Sequence, residues 1–280
     1  MKPSDLDEIF RPFEPLYIKP NPVLFEQFKQ FVADLGFDRE DPWIVHYVQY
    51  VLENEWPLYS AYGPVTHKKI LEFGCNVGAT AIVLSQAGAQ VWGVDVNDKM
   101  VEIARKNAQC HNQEIEFLST RHSWHLPWSD GYFDYISCNS VLEYVEKDNL
   151  KLVLTEISRL LKPGGRLLIF GTSNRLSPIE VHSKKWGINY IPTRLLPLFK
   201  FLYGSDQVGI SYSRIRRELP GFYNLDVVTD NQIYLGVKKN RFGENNWRYR
   251  VLKWAALILK PFKIPVGAIT PSIQTVFVKK

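Results

Sequence analysis

From Lys69 to Thr80 the chain reads Lys-Ile-Leu-Glu-Phe-Gly-Cys-Asn-Val-Gly-Ala-Thr, an apolar run with one acid, Glu72, and then a loop with glycine at 74 and 78. Glycine at those two positions lets a backbone turn sharply and approach a ligand with no Cβ in the way. Asn76, which follows Cys75 in the loop, tolerates left-handed backbone better than most residues. Further on, Val91-Trp92-Gly93-Val94 leads into a second acid, Asp95, with Val96 behind it. A carboxylate there has two oxygens with which to accept the two hydroxyls of a ribose. A nucleoside-bearing cofactor, held beyond the carboxyl ends of two strands, is the chemistry these residues suit. A dinucleotide fits less well. Its pyrophosphate needs G-x-G-x-x-G against a helix N-terminus, and here Asn76 and Ala79 stand at the second and third glycine positions.

Three more stretches follow in order: Leu126-Pro127-Trp128, Gly131-Tyr132-Phe133-Asp134 and Leu161-Lys162-Pro163-Gly164-Gly165. As an ordered set over roughly residues 69–172, these motifs resemble the class I S-adenosylmethionine-dependent methyltransferases, in particular the type 11-like group acting on small molecules and glycans. The resemblance implies S-adenosyl-L-methionine as cofactor and S-adenosyl-L-homocysteine as product. It implies that Glu72, Gly74, Cys75, Asn76, Gly78, Asp95, Val96, His122, Ser123 and Asn139 surround that cofactor. Glu72 would help to place the sulfonium end, and the Ser123 backbone would bond the adenine ring. The chain departs from many relatives at His122-Ser123, where they carry an acid followed by a small residue.

The elements that must position these residues alternate regularly. Apolar runs predict strands at 70–73, 90–95, 114–118, 133–138 and 166–171, with helices at 79–87, 98–110 and 146–161. Such alternation forces right-handed crossovers. The expected fold is α/β, a doubly wound, mostly parallel seven-stranded sheet with helices on both faces, as in Rossmann-like methyltransferases. Leu225–Thr229 and Gln274–Val278 are the expected sixth and seventh strands, the last antiparallel. Residues 1–65 are expected to form an N-terminal arm and helical cap, with helices near Phe25–Val32 and at 42–55; the stripe of Trp43, Tyr47 and Tyr50 reads as core, with substrate contact as the alternative. Residues 66–280 form the expected catalytic domain, with C-terminal insertions at about 173–211 and 238–270.

Methyl transfer is an in-line displacement at a cationic sulfonium, so no metal is expected, and no histidine pair has metal-ligand spacing. A hydroxyl acceptor must lose a proton and benefits from a base. Asn139, Ser140 and Glu143 follow the fourth strand and are expected to face the methyl group. His182, in the first insertion, is the expected base. If Glu180-Val181-His182 is extended, Glu180 and His182 share a face and the acid orients the imidazole. The catalytic expectation is therefore His182 with Glu143.

Hydrophobic content of 45% and charge of 22% in 280 residues suit a globular enzyme. The three cysteines form no C-x-x-C pair, which favours inert buried thiols. With no basic-then-apolar leader and no apolar run near the length of a spanning helix, a cytoplasmic protein is expected. The net charge of +5 hides an asymmetry: residues 1–172 carry −7 and residues 173–280 carry +12. Trp247, Val251, Trp254 and Ile258 recur at helical spacing among basic residues, so this helix either packs its stripe on the sheet or lies on the inner face of an anionic membrane. The expected acceptor is a small molecule: a sugar hydroxyl, another glycan or a lipid-linked compound. The alternatives are a quinone-like phenol, or binding of S-adenosylmethionine without catalysis. Asn139-Ser140-Val141-Leu142 differs from a base-flipping motif and argues against nucleic acid.

Overall fold

The computed structural model describes residues 15–203 and 208–280. The first part of the expected arm, residues 1–14, and positions 204–207 of the first insertion lie outside the described residues. The chain divides into two compact units, one ending at Ser137 and the other running from Cys138 to Lys280.

In the first unit, helices α1 (Pro22–Asp34), α2 (Tyr47–Asn54) and α3 (Trp56–Ala61) precede the sheet. Asn21 caps α1 by accepting the N–H groups of Val23 and Leu24 at 3.1 and 3.2 Å. Phe28 and Val32, one turn apart, are its buried face. The single helix expected over 42–55 starts later, because Asp41 accepts the Trp43 N–H at 2.7 Å and holds a turn there. The aromatic stripe is not core. Trp43 and Tyr50 are exposed and pack edge to face at 5.4 Å, while Val48 and Val51 are buried.

Next come β1 (Lys69–Phe73), α4 (Ala79–Gln86), β2 (Gln90–Asp95), α5 (Asp98–Cys110), β3 (Glu116–Ser119) and β4 (Phe133–Asn139). β1 pairs in parallel with β2 and β4, and β2 with β3. Ile70 to Phe73 and Val91 to Val94 are buried without alternation, as strands covered on both faces require. α5 begins where expected because the Asn97 side chain accepts the N–H groups of Lys99 and Met100.

The second unit holds α6 (Leu150–Leu160), β5 (Leu161–Ser173), α7 (Leu196–Tyr203), α8 (Tyr212–Arg217), β6 (Phe222–Asn224), α9 (Leu225–Val228), α10 (Gln232–Phe242), α11 (Trp247–Leu259) and β7 (Ser272–Lys279). β7 runs antiparallel to both β5 and β6. The strands follow one another as β3-β2-β1-β4-β5-β7-β6 in a seven-stranded sheet, the mostly parallel α/β architecture expected.

One strand is misplaced by the sequence pattern. Leu225–Thr229 is helical at α9, and the sixth strand lies just before it. The Asn224 side chain accepts the Val227 N–H at 3.1 Å and starts a helical turn. The Thr275 hydroxyl then donates at 2.7 Å to buried Asp226 and accepts at 2.7 Å from the Asn224 amide. These bonds outweigh the strand preference of Val227 and Val228.

Candidate active site

The glycine loop of the first unit is built by backbone bonds from the neighbouring strand. The N–H groups of Gly74 and Cys75 both donate to the Val94 carbonyl, at 2.8 and 2.9 Å. Asn76 takes a φ of 46° and Gly78 a φ of 76°. Gly78 is fixed by packing as well as by φ, since a Cβ there would lie 3.0 Å from both the Ala104 Cβ and the Phe117 ring. Asp95 ties the loop down. One carboxylate oxygen accepts the Asn76 N–H at 2.8 Å and the other the Asn97 N–H at 2.9 Å. Each oxygen has about two lone pairs, so the carboxylate keeps capacity for a diol. Val96 is exposed, and Cys75 is a buried thiol whose pKa burial pushes well up. His122 and Ser123 lie after β3, where the His122 N–H donates to the Thr120 hydroxyl at 3.3 Å and the ring stacks at a tilt on Trp124.

Glu72 is buried on β1, and its Oε2 has no hydrogen-bond partner among the described residues. Burial holds its pKa well above the usual carboxylate range, opposed by a hydrogen bond with Ser137. Ser137 in turn shares a 2.6 Å hydrogen bond with buried Tyr59. A buried acid with one oxygen unmatched fits a cationic partner, because a positive charge beside it restores the ionised form. S-adenosylmethionine is such a partner, with its ammonium and sulfonium groups. Glu72, the loop backbone and Asp95 are thus the residues able to hold it.

In the second unit, Asn139 is buried and Ser140 takes a φ of 55°. This turn lies against Gly171, where a Cβ would collide with the Ser140 hydroxyl and come within 2.5 Å of the Asn139 side-chain Oδ1. A lone glycine inside a strand signals such an approach. Glu143 follows. Its side chain is fully buried, and Oε1 accepts both the Ser173 N–H at 2.8 Å and the His182 Nε2–H at 2.9 Å. The bond to Glu143 raises the His182 pKa, against the opposing effect of burial. The expected partner of the imidazole is corrected here. Residues 181–183 form a turn, and Glu180 Oε2 caps it by accepting the N–H groups of His182 and Ser183 at 3.0 and 2.5 Å. Glu180 shapes the turn, and Glu143 orients the ring.

Residues 71–169 match the family model described as "Methyltransferase domain". This chain carries an S-adenosylmethionine-dependent methyltransferase domain. Among curated proteins, the methyltransferase is 28% identical over 172 residues to a ubiquinone biosynthesis O-methyltransferase of Shewanella pealeana, a match covering 55% of this chain and 71% of the relative. It is 30% identical over 128 residues to the protein of that name from Vibrio atlanticus, covering 46% of this chain and half of the relative. Among solved structures, the PH0226 protein of Pyrococcus horikoshii aligns with a TM-score of 0.41 and 27% identity over 51% of this chain and 60% of its own.

Two predictions concern the methyltransferase's cofactor. Asp95→Ala should weaken S-adenosylhomocysteine binding by about 1.5–3 kcal/mol, the usual loss of a charged hydrogen-bond partner. Equal calorimetric affinity in the two proteins would remove Asp95 from the site. Glu72→Gln should stabilise the cofactor-free methyltransferase by about 1–3 kcal/mol while weakening cofactor binding. The sign follows from linkage. A folded pKa raised above the unfolded value means that stability is present below about pH 4.5 and is lost as pH rises through the raised value. Thermal melts should therefore separate the two proteins increasingly above that pH, and coincident melts up to pH 8 would count against the burial argument.

Proposed function

We propose that the methyltransferase acts on a hydroxyl oxygen, with a sugar hydroxyl or a lipid-linked small molecule as the leading acceptor class. The carrying observation is the Glu143–His182 pair. A neutral imidazole that donates Nε2–H to Glu143 keeps its lone pair on Nδ1, where it can take a proton. The buried carboxylate then stabilises the imidazolium that forms. A nitrogen acceptor with its own lone pair has less need of such a base. When bound, S-adenosylmethionine supplies an electrophilic methyl group. Glu72, Gly74, Cys75, Asn76, Gly78, Asp95, Val96, His122 and Ser123 of the first unit are the proposed cofactor residues. Alignment and exclusion of water contribute the rest of the rate.

A second reading, methylation of a quinone-like phenol, draws support from the similarity to the two ubiquinone biosynthesis O-methyltransferases. A phenol ionises more readily than a sugar hydroxyl and depends less on a base. Labelled cofactor offered with free sugars, lipid-linked sugars and prenylated phenols separates the two. Label in an alkali-stable methyl ether of a sugar supports the first reading, label in an aryl ether supports the second, and label only on nitrogen overturns both.

We further propose peripheral attachment to the cytoplasmic face of a membrane through α11. No helix among the described residues is long and apolar enough to cross a membrane. The support for attachment is the exposure of Trp247 and Trp254, each 68% exposed, beside basic residues.

A further inference from the structure

We infer that Lys147, Arg175 and Arg214 form an anion subsite in the second unit that receives a phosphate group of the acceptor. The inference rests on the reading of Glu143 and His182 as the acceptor's proton-handling pair. Lys147 lies four residues after Glu143, and Arg175 lies seven before His182. Arg214 arrives separately on α8.

Three contacts bring the cations together. The Arg214 guanidinium donates to the Lys147 carbonyl at 2.7 Å. The Lys147 ammonium donates to the Thr193 hydroxyl, and the Arg175 guanidinium to the Ile191 carbonyl. Ile191 and Thr193 are two residues apart, so one short segment carries both side chains. The partners of all three are neutral oxygens, and among the described residues none forms an ion pair with a carboxylate. Other cations of the same unit do pair: Arg159 with Glu156, Lys239 with Glu244 and Lys260 with Asp230.

The cluster carries a standing cost. Like charges held close repel, and the Arg175 Nη1 is buried with no hydrogen-bond partner among the described residues. Burial, followed by the charges of Arg214 and Arg175, lowers the Lys147 pKa, against a weaker opposing pull from Asp148. Burial also lowers the Arg175 pKa. A phosphate answers both costs. It brings up to two negative charges and three acceptor oxygens, and guanidinium forks match its geometry. A single carboxylate would leave two of the three cations uncompensated.

The test uses the full chain and inorganic pyrophosphate, with inorganic phosphate as the smaller probe, by calorimetry at constant low ionic strength. Wild type should bind pyrophosphate saturably. Lys147→Gln, Arg175→Gln and Arg214→Gln should each weaken it about tenfold or more and leave S-adenosylhomocysteine affinity unchanged. Lys147 is exposed and Arg214 half-buried, so those two variants should fold even if Arg175→Gln does not. Unchanged pyrophosphate affinity in both, or no saturable binding by wild type, overturns the subsite. The cofactor arm keeps the readings apart. Pyrophosphate binding without S-adenosylhomocysteine binding would sink the methyltransferase site and leave the subsite standing; the reverse sinks the subsite alone. Phosphatidylcholine vesicles with and without phosphatidic acid, offered in the Trp254→Glu background so that α11 does not itself bind them, identify the source. Phosphatidic-acid dependence lost in Lys147→Gln supports a lipid phosphate, and loss confined to pyrophosphate supports a soluble one.

Discussion

His182→Ala is expected to lower turnover roughly 10²–10⁴-fold, the range that a positioned base supplies, with cofactor affinity unchanged. The argument lies in the hydrogen bonds. Glu143 is fully buried and spends Oε1 on both the Ser173 N–H and the imidazole, so the ring is held by a carboxylate that is itself held by β5. His182 stays about one-third exposed, which leaves a route for a proton. Its raised pKa sets the pH profile. The imidazole is blocked as a base while protonated, so turnover should climb as pH rises through a value above 6.5. The same shift stabilises the fold below the unfolded value of about 6.5, and that contribution is lost as pH rises through the raised one. Glu143→Gln keeps an acceptor for the ring without the charge, so the rising limb should move to lower pH. Glu180→Gln should move that limb the same way but by less, because Glu180 caps a turn and acts on the ring only through its charge. Near-normal turnover in His182→Ala, or an unmoved limb in Glu143→Gln, would return the pair to a structural role.

What could be read from the sequence follows the range of the forces involved. The glycine loop and α5 were legible because their causes are local: left-handed φ at Asn76 and Gly78, and an Asn97 cap acting within three residues. The parallel strands were legible because burial on both faces writes an unbroken apolar run. The pairings that give the sites their chemistry are not local. Ser137 meets Tyr59 across 78 residues, and His182 meets Glu143 across 39. Choosing Glu180 for the imidazole assumed an extended segment, and a two-residue carboxylate cap made it a turn. Leu225–Thr229 failed in the same way, through an asparagine cap that strand propensity does not weigh. The aromatic stripe at Trp43 failed differently. Helical spacing says which residues share a face, and it is silent about whether that face meets protein or water.

The same silence left α11 with two readings, and its exposed stripe supports the proposed membrane one. Tyr249 and Ala256 are its buried residues, while Trp247, Val251, Trp254, Leu257 and Ile258 face away from the protein. At about 100° per residue, Arg248 falls on one side of that stripe and Lys253 on the other, with Arg250 between Leu257 and Trp254. No acid lies between Trp247 and Lys263, and Phe262 continues the exposed apolar surface at 70% exposure. Tryptophan favours the headgroup boundary, and each basic residue near an anionic leaflet contributes about 1 kcal/mol. Wild type should therefore sediment with phosphatidylglycerol-rich vesicles at low salt and be released as the screening length falls to about 3 Å near 1 M salt. Trp254→Glu should abolish sedimentation. It should also melt within about 0.5 kcal/mol of wild type, because the new carboxylate stays in water. A loss of several kcal/mol in that melt would mean that the charge had been buried, and that the stripe packs on protein after all. Failure of wild type to sediment at low salt would rule the membrane out, whatever the variant does.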